Sequence, residues 1–355
     1  MPAWKDDPAV VACDHRPEQR GRSAADILRW SRRLLDPALR DAVEAMPDAA
    51  RRIAAFHFGW RDERGRPASG AAGKAIRPAL ALLAAEAAGG TASAALPAAV
   101  AVELAHNFSL LHDDVMDGDP TRRHRPTAWT VFGTDAAILA GDALLAAAYE
   151  ALAGDDSPAA AHGVRVLARS VLDLVEGQSA DLAFEGRTDV TLDECLAMAS
   201  RKTGALMGAA CALGARHGGA GTAETDRLRA FGECFGLAFQ LTDDLLGIWG
   251  DPAVTGKPVH SDLHNRKKSL PVVAALTSGT PAGGELADLY FREEPLSHGD
   301  TAKAAALIEA AGARAWAATR AGALLAEARA HLAGSAPAPA ADLCTLAHFM
   351  TRHDR

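Results

Sequence analysis

The chain has 355 residues, and 37 Lys and Arg against 45 Asp and Glu give it a formal net charge of −8. With 49% hydrophobic residues it can bury a large core, so its length allows one large domain or two ordinary ones. The acidic balance argues against nucleic acid as the main partner, and no apolar run reaches the ~18 residues that predict a transmembrane helix.

Residues 1–22 are polar, charged and aperiodic, which predicts a disordered N-terminal tail. The tail has no apolar stretch after a basic one and so does not resemble a secretory signal. Five cysteines are scattered without CxxC spacing, which is typical of reduced thiols in a cytoplasmic protein.

From residue 23 onward the sequence predicts helices. Ser23 and Asp26 form a capping-box-like start, and alanine and other helix formers dominate the chain after them. Strand-like alternation is almost absent, whereas helical periodicity runs through 78–112, 135–153, 160–184, 192–214 and 224–249. We therefore expect a single all-α domain over residues 23–355.

The first of two acidic clusters closes an apolar helix. Asp113 and Asp117 are four residues apart and share one helix face, with Asp114 beside them. Carboxylates near a helix C-terminus repel each other and oppose the helix dipole, a cost that bound cations offset. Mg²⁺ is commonly held by one or two carboxylates plus a substrate phosphate, and the guanidinium groups of Arg122 and Arg123 match phosphate oxygens. The pattern predicts a metal and phosphate site; a solvated acidic helix end before a basic loop is the alternative.

The second acidic cluster repeats this design. Asp243 and Asp244 follow an apolar helix, Gln240 lies one turn before Asp243, and Lys257 and Lys267 follow. Two such helices facing each other would form a cup with acidic walls. Several Mg²⁺ ions would reverse the local charge so that the cup could hold a diphosphate.

These motifs, in this order, resemble the trans-isoprenyl diphosphate synthases, the polyprenyl synthetase family, from about residue 25 to near the C-terminus. The sequence is most like the short-chain geranylgeranyl and farnesyl diphosphate synthases of actinobacterial type. The resemblance implies the isoprenoid synthase fold, a large helical bundle around a central cavity. It also implies a cytoplasmic, homodimeric prenyltransferase that uses three Mg²⁺ ions per site to condense isopentenyl diphosphate with allylic diphosphates.

The resemblance further implies roles for individual residues. The metal ligands are expected to be Asp113, Asp117 and Asp243, and the catalytic set adds Asp114, Asp244, Lys202, Thr203 and Gln240. The residues expected on the diphosphate of isopentenyl diphosphate are Lys74 and Arg77 of the GKAIRP element, His106 and Arg123. Those expected on the allylic diphosphate are Arg122, Lys202, Lys257 and Lys267. Gln178 and Asp181 match the Gly-Gln-x-x-Asp helix of the family.

The sequence departs from the family pattern at two positions. Gly247 stands where the second acidic motif normally has a third Asp, and Ala75 stands where a basic residue is usual. Because the first Asp of that motif makes the direct metal contact in this family, we expect Gly247 to weaken metal affinity or rate, by ~10–100-fold, rather than abolish the chemistry.

Product length is expected to depend on the floor of the apolar channel below Asp113. Phe108 lies five residues earlier, ~7.5 Å along the helix, whereas Ser109 leaves room above it. An aromatic residue only at this fifth position resembles family members that make the C20 product. Ordinary core packing of Phe108 is the alternative, and the C15 product remains open.

Two other functions are considered. A terpene cyclase would share the fold and the first metal motif, but its Asn/Asp-x-x-Ser/Thr-x-x-x-Glu element is absent at the matching place, and Lys74 and Arg77 favour a synthase. Gly247 and the tail motivate a non-catalytic regulatory subunit or a shell cargo. The tail and the stretch RRIAAFHFGW are similar to actinobacterial polyprenyl synthases described as encapsulin cargo, a partner compatible with activity.

Overall fold

The helices begin where side chains can satisfy free backbone N–H groups. The computed structural model describes residues 21–68, 73–155, 157, 159–251 and 259–352. At the first helix the backbone N–H of Asp26 donates to Ser23 Oγ, as the sequence predicts. Complete capping boxes join Thr191 to Glu194 and Ser297 to Asp300 at two later helices.

Helices make up most of the described chain. They are α1 (Ala24–Glu44), α2 (Asp48–His57), α3 (Ile76–Ala87), α4 (Leu96–Met116), α5 (Ala128–Phe132), α6 (Thr134–Ala153), α7 (Ala160–Glu185), α8 (Leu192–Ala199), α9 (Ala205–His217), α10 (Thr222–Trp249), α11 (Ser261–His264), α12 (Leu270–Leu276), α13 (Pro281–Tyr290), α14 (His298–Ala310), α15 (Ala313–His331) and α16 (Pro337–Met350). A small antiparallel hairpin pairs β1 (Thr121–Arg122) with β2 (Arg125–Pro126). The all-α prediction is confirmed.

Two of the periodic stretches contain a break. The stretch 78–112 is interrupted between α3 and α4, where Gly89 adopts φ +87°, a conformation that suits glycine, and a 3₁₀ turn over Ala92–Ala95 follows. The stretch 192–214 is interrupted by a π-helical turn over Ser200–Gly204. That turn carries Lys202 and Thr203, and π-turns are frequent at functional sites.

Small residues let the central helices approach closely. A Cβ at Gly214 of α9 would lie 2.7 Å from the Ala81 carbonyl carbon of α3, and a Cβ at Gly232 of α10 would lie 2.5 Å from the Met207 carbonyl oxygen of α9. The α10 helix packs against α9 on one side and against α15 on another. The buried core follows these contacts and is built mainly from Ala and Leu.

Two segments are long and apolar enough to cross a membrane by length and hydropathy alone. The first, Ala92–Met116, has 78% of its apolar window buried, whereas the second, Thr134–Ala153, has only 33% buried. The first is a core helix of the bundle. The second is α6, whose apolar residues face outward over much of its surface.

The N-terminal region contributes contacts to the bundle. Arg22 Nε donates to Asp342 Oδ2 at 2.6 Å, and its Nη2 donates to Glu86 Oε2 at 2.9 Å. In the RRIAAFHFGW stretch, Phe56 and Phe58 are buried in the core. Residues 1–20 lie outside the described residues, and the domain boundary at residue 23 remains a prediction.

Candidate active site

The first acidic motif forms the last turn of α4. Asp114 is buried and accepts a hydrogen bond from Arg122 Nε at 2.6 Å, while its second oxygen, Oδ2, is buried without a hydrogen-bond partner in the part of the chain that the structure describes. Burial, with a smaller contribution from the neighbouring Asp117, raises the pKa of Asp113 to about 6, although the charge of Lys202 opposes the rise. Asp117 caps the helix and is exposed. A cation bound at this cluster would favour the ionised form of Asp113.

The second acidic motif lies near the end of α10. Asp244 accepts hydrogen bonds from Gln240 Nε2 at 2.7 Å and from the Leu270 backbone N–H at 2.9 Å. Burial raises its pKa to about 7 in spite of these bonds, and Asp243 adds to the effect. Thr203 Oγ donates to Gln240 Oε1 at 2.6 Å. The π-turn is therefore linked to the acidic end of α10.

Two lysines connect the acidic motifs. Lys202 Nζ contacts Asp181 Oδ2 at 2.6 Å, and its charge lowers the pKa of Asp113. Burial lowers the pKa of Lys267, but the carboxylates of Asp262 and Asp117 outweigh burial and raise it overall. Because Lys267 interacts with Asp117 of the first motif and with Asp262, which lies against Gly247 of α10, one cation lies within reach of both acidic motifs.

A group of basic residues lies behind the first motif. Burial lowers the pKa of Arg77 to about 10, and its Nε is buried without a hydrogen-bond partner. Burial also lowers the pKa of His106, and the charges of Arg77 and Arg123 lower it further. Closely spaced guanidinium groups of this kind suit an anion with several oxygens, such as a diphosphate.

A buried carboxylate balances this basic group. Glu103 of α4 is only 5% exposed. Burial raises its pKa, and the charges of Arg32 and Arg77 oppose the rise. Arg32 of α1 also donates to the Gly73 carbonyl oxygen, at the start of the GKAIRP element. The first helix thereby supports the loop that carries Lys74.

The space beside Gly247 is filled by Asp262 of α11. A Cβ at Gly247 would lie 2.5 Å from the Asp262 carboxyl carbon and would overlap its oxygens. The charge of Asp262 also raises the pKa of Asp244. A carboxylate from another helix therefore occupies the position next to the missing third Asp.

The predicted floor residues lie in the core. Phe108 is 7% exposed, and its ring contacts the His112 ring edge-on with centroids 4.8 Å apart. Ser109 is 6% exposed and donates to the His106 carbonyl oxygen at 2.8 Å. His112 in turn contacts the Ile138 carbonyl oxygen of α6 at 2.9 Å. Phe108 thus packs against His112, which in turn joins α4 to α6.

The structure brings most of the predicted site residues together. The carboxylates of both motifs interact with one group of residues, Lys202, Thr203, Gln240 and Lys267, and the basic group contains Arg77, His106, Arg122 and Arg123. Lys74 is exposed next to that group, and Lys257 lies outside the described residues.

Three residues that contribute to the candidate site lie outside the motifs recognised in the sequence. Glu103 was detectable as a lone acid within the apolar run of α4. Asp262 and Arg32 gave no such signal, because their contacts depend on how α11 and α1 pack. Gln178 was recognised by its motif, and both of its side-chain polar atoms are buried without hydrogen-bond partners.

The acidic motifs fit divalent cations. Asp114 Oδ2, which is buried with no partner among the described residues, and the raised pKa of Asp113 both indicate carboxylates that a bound cation would stabilise. A donor set made only of carboxylate oxygens matches a hard cation such as Mg²⁺.

The chain is similar in sequence to known proteins over most of its length. The family model described as "Polyprenyl synthetase" matches residues 65–308. The chain is 47% identical over 341 residues to a (2E,6E)-farnesyl diphosphate synthase of Mycobacterium tuberculosis, covering 93% of each protein. It is 49% identical over 287 residues to a geranylgeranyl diphosphate synthase of the same organism, covering 81% of this chain and 82% of the relative.

Solved structures have the same fold. A polyprenyl synthetase from Streptomyces coelicolor superimposes with a TM-score of 0.88 at 45% identity, covering 92% of this chain and 99% of the other. A geranylgeranyl pyrophosphate synthase from Corynebacterium glutamicum, crystallised with isoprenyl diphosphate and magnesium, superimposes with a TM-score of 0.79 at 26% identity, covering 94% of this chain and 100% of the other.

Proposed function

The chain belongs to the polyprenyl synthetase family and is a prenyltransferase of the short-chain type, and we propose that it condenses isopentenyl diphosphate with allylic diphosphates to the C20 product, geranylgeranyl diphosphate. The π-turn carries the proposal, because Thr203 donates to Gln240 of α10 at 2.6 Å while the charge of the adjacent Lys202 acts on Asp113 of α4. A substrate diphosphate held through cations would lie between two acidic motifs that the same turn contacts. The mycobacterial relatives include both farnesyl and geranylgeranyl synthases, so the class of substrate follows from the family.

Three Mg²⁺ ions per site would neutralise the charge that develops on the leaving pyrophosphate. We assign Asp113, Asp117 and Asp243 as the side chains that hold these ions. Lys202 and Lys267, together with Arg122 and Lys257, bind the allylic diphosphate and stabilise the same charge.

The chain's own residues position the two substrates. Lys74, Arg77, His106 and Arg123 hold isopentenyl diphosphate so that its double bond faces carbon 1 of the allylic partner. The allylic C–O bond breaks and both electrons leave on pyrophosphate, the double bond attacks carbon 1, and a proton then passes to the pyrophosphate. Thr203 and Gln240 are bonded to each other and present neutral dipoles beside the developing cation. Catalysis is mainly positioning and electrostatic stabilisation.

Phe108 is proposed to limit product length. It is buried five residues before Asp113, and its aromatic ring packs edge-on against His112, which contacts α6. Ser109 leaves space above the ring. This arrangement favours a C20 over a longer product.

We also propose that the enzyme is a cytoplasmic homodimer that associates through α6 and α7. Leu139 of α6 is 65% exposed, and Leu172 and Val175 of α7 are 62% and 50% exposed. These two helices pack side by side, and a second copy that covers their outer faces would bury these three exposed apolar residues. Docking to an encapsulin-type shell through the tail remains a separate proposal.

The activity is tested by incubating purified protein with Mg²⁺, isopentenyl diphosphate and each allylic diphosphate of five, ten or fifteen carbons, with chromatography of the products. We expect a C20 diphosphate, and the Asp113→Asn variant is expected to lose it. A cyclised hydrocarbon formed from an allylic diphosphate alone would indicate a terpene cyclase. Failure with all three partners would favour a regulatory or cargo role.

A further inference from the structure

A cluster of three metal-binding side chains lies between α10 and α15. Cys234 is on α10, and Glu327 and His331 are one turn apart near the end of α15. The Cys234 Sγ, a Glu327 carboxylate oxygen and a His331 ring nitrogen all lie within 4.8 Å of one another. Cys234 and His331 are half-buried, and Glu327 is exposed. The sequence gave no indication of this cluster, because Cys234 is far from Glu327 and His331 in the chain. Helix packing brings the three side chains together.

The cluster is separate from the proposed active site. Cys234 precedes Asp243 by nine residues, which is about 14 Å along the helix and half a turn around it. Cys234 therefore points away from the face that carries Asp243, toward α15. None of the three side chains has a role in the proposed condensation.

The three donor types determine which ion would bind. Thiolate sulfur, imidazole nitrogen and one carboxylate oxygen are ligands of Zn²⁺, which takes a tetrahedral shell, whereas Mg²⁺ prefers oxygen alone. Tetrahedral zinc places its donors roughly 3.5 Å apart, so the side chains need to close by about an ångström. The exposed Glu327 has the rotational freedom to do so.

The residue beside Cys234 does not join the cluster. Glu233 turns toward α9 instead, where its Cγ and Oε1 lie 2.5 and 3.2 Å from the Cβ position of Gly208. A water molecule would therefore complete the tetrahedral shell. A hydrogen bond already links the Cys234 thiol to Glu327.

We propose that Cys234, Glu327 and His331 form a Zn²⁺ site that ties α15 to α10. The site is structural: it joins the helix that carries the second acidic motif to its long neighbour, and binding releases the thiol proton. This inference does not depend on the substrate or the product length.

Co²⁺ absorption provides the test, since a thiolate ligand gives Co²⁺ an intense near-ultraviolet charge-transfer band that carboxylate ligands do not. The protein is full-length and tag-free, carries Cys13→Ser to remove the thiol in the tail, and is kept in excess Mg²⁺ to saturate the acidic motifs. We expect one Co²⁺ per chain with this band, which Zn²⁺ abolishes by competition. A second readout is the rise in melting temperature on adding Zn²⁺.

Matched variants locate the site. Cys234→Ser should abolish the charge-transfer band, and His331→Gln should weaken Co²⁺ binding by at least about tenfold, the cost of losing even an outer-shell partner. Cys344→Ser and His348→Gln, on α16, are the controls and should leave both readouts unchanged. The proposal is overturned if the unmodified site shows no band, or if the band survives in Cys234→Ser. A prenyltransferase active without Zn²⁺ would leave the proposed function intact, so the two failures are distinguishable.

Discussion

Asp262 lies where the second acidic motif lacks a carboxylate. The third Asp of the motif is replaced by Gly247, and Asp262 lies against that position, where its charge raises the pKa of Asp244. Glycine at 247 is what makes room for it. We therefore expect Asp262 to carry the charge that the motif itself does not supply.

The first prediction concerns this residue. Asp262→Asn removes a negative charge next to Asp244 and Lys267 while keeping the size of the side chain. We expect kcat to fall by ~10–100-fold, the usual cost of losing an outer-shell group at a metal site, and the Mg²⁺ concentration for half-maximal rate to rise. Steady-state condensation assays over a Mg²⁺ titration measure both effects.

Two further variants test whether the effect of Asp262→Asn depends on the position of that charge beside Gly247. Asp288→Asn, at an exposed position of α13, is the charge-matched control and should match the parent enzyme. Gly247→Ala should lower the rate because its methyl displaces Asp262, although Ala is favoured over Gly within a helix by about 1 kcal/mol. Unchanged kinetics in Asp262→Asn would show that Asp262 does not replace the carboxylate that is missing at position 247.

The second prediction concerns product length. Phe108→Ala removes a buried aromatic ring of α4 and is expected to open the floor below Asp113, so the main product should become longer than C20. Chromatography of the dephosphorylated products measures the distribution. Phe349→Ala, on α16, serves as an aromatic control with no expected change in length. An identical distribution in Phe108→Ala would place the floor elsewhere.

At the scale of helices, close packing depends on glycine at particular contacts. Gly214 lets α9 approach the backbone of α3 around Ala81, whereas Gly322 of α15 is exposed and has no atom within 4 Å of its Cβ position. The same substitution at the two sites is expected to have opposite effects. Helix propensity favours Ala at both, but only the first site is crowded.

The third prediction follows from that contrast. Gly214→Ala should lower the free energy of unfolding by about 1–3 kcal/mol through overpacking, while Gly322→Ala should raise it by about 1 kcal/mol. Denaturant unfolding followed by circular dichroism measures both. Equal stability of the two variants would contradict the close contact of α3 and α9.

At the scale of the whole molecule, the apolar outer face of α6 and α7 leads to the fourth prediction. Leu139→Glu combined with Leu172→Glu places two charges in the proposed dimer interface, where burial without partners is costly. Sedimentation equilibrium should give twice the chain mass of 36.9 kDa for the parent protein and a single chain for the variant.

The control for this experiment is Val259→Glu, because Val259 is 46% exposed but lies before α11 rather than on α6 or α7. It should remain dimeric. A parent protein that sediments as a single chain would contradict the proposed homodimer.

The sequence alone determined the all-α class, the acidic end of α4 and the acidic pair on α10, because helical spacing and apolar periodicity are local properties of the chain. The basic group at Arg77 and His106 was also recognisable, since its residues belong to short motifs. Only the tertiary structure decided that Asp262 lies against Gly247, that Glu103 balances the arginines, and that Cys234 meets Glu327 and His331. Those contacts join residues from different helices, and they depend on the packing of small residues between helices, which no local pattern encodes.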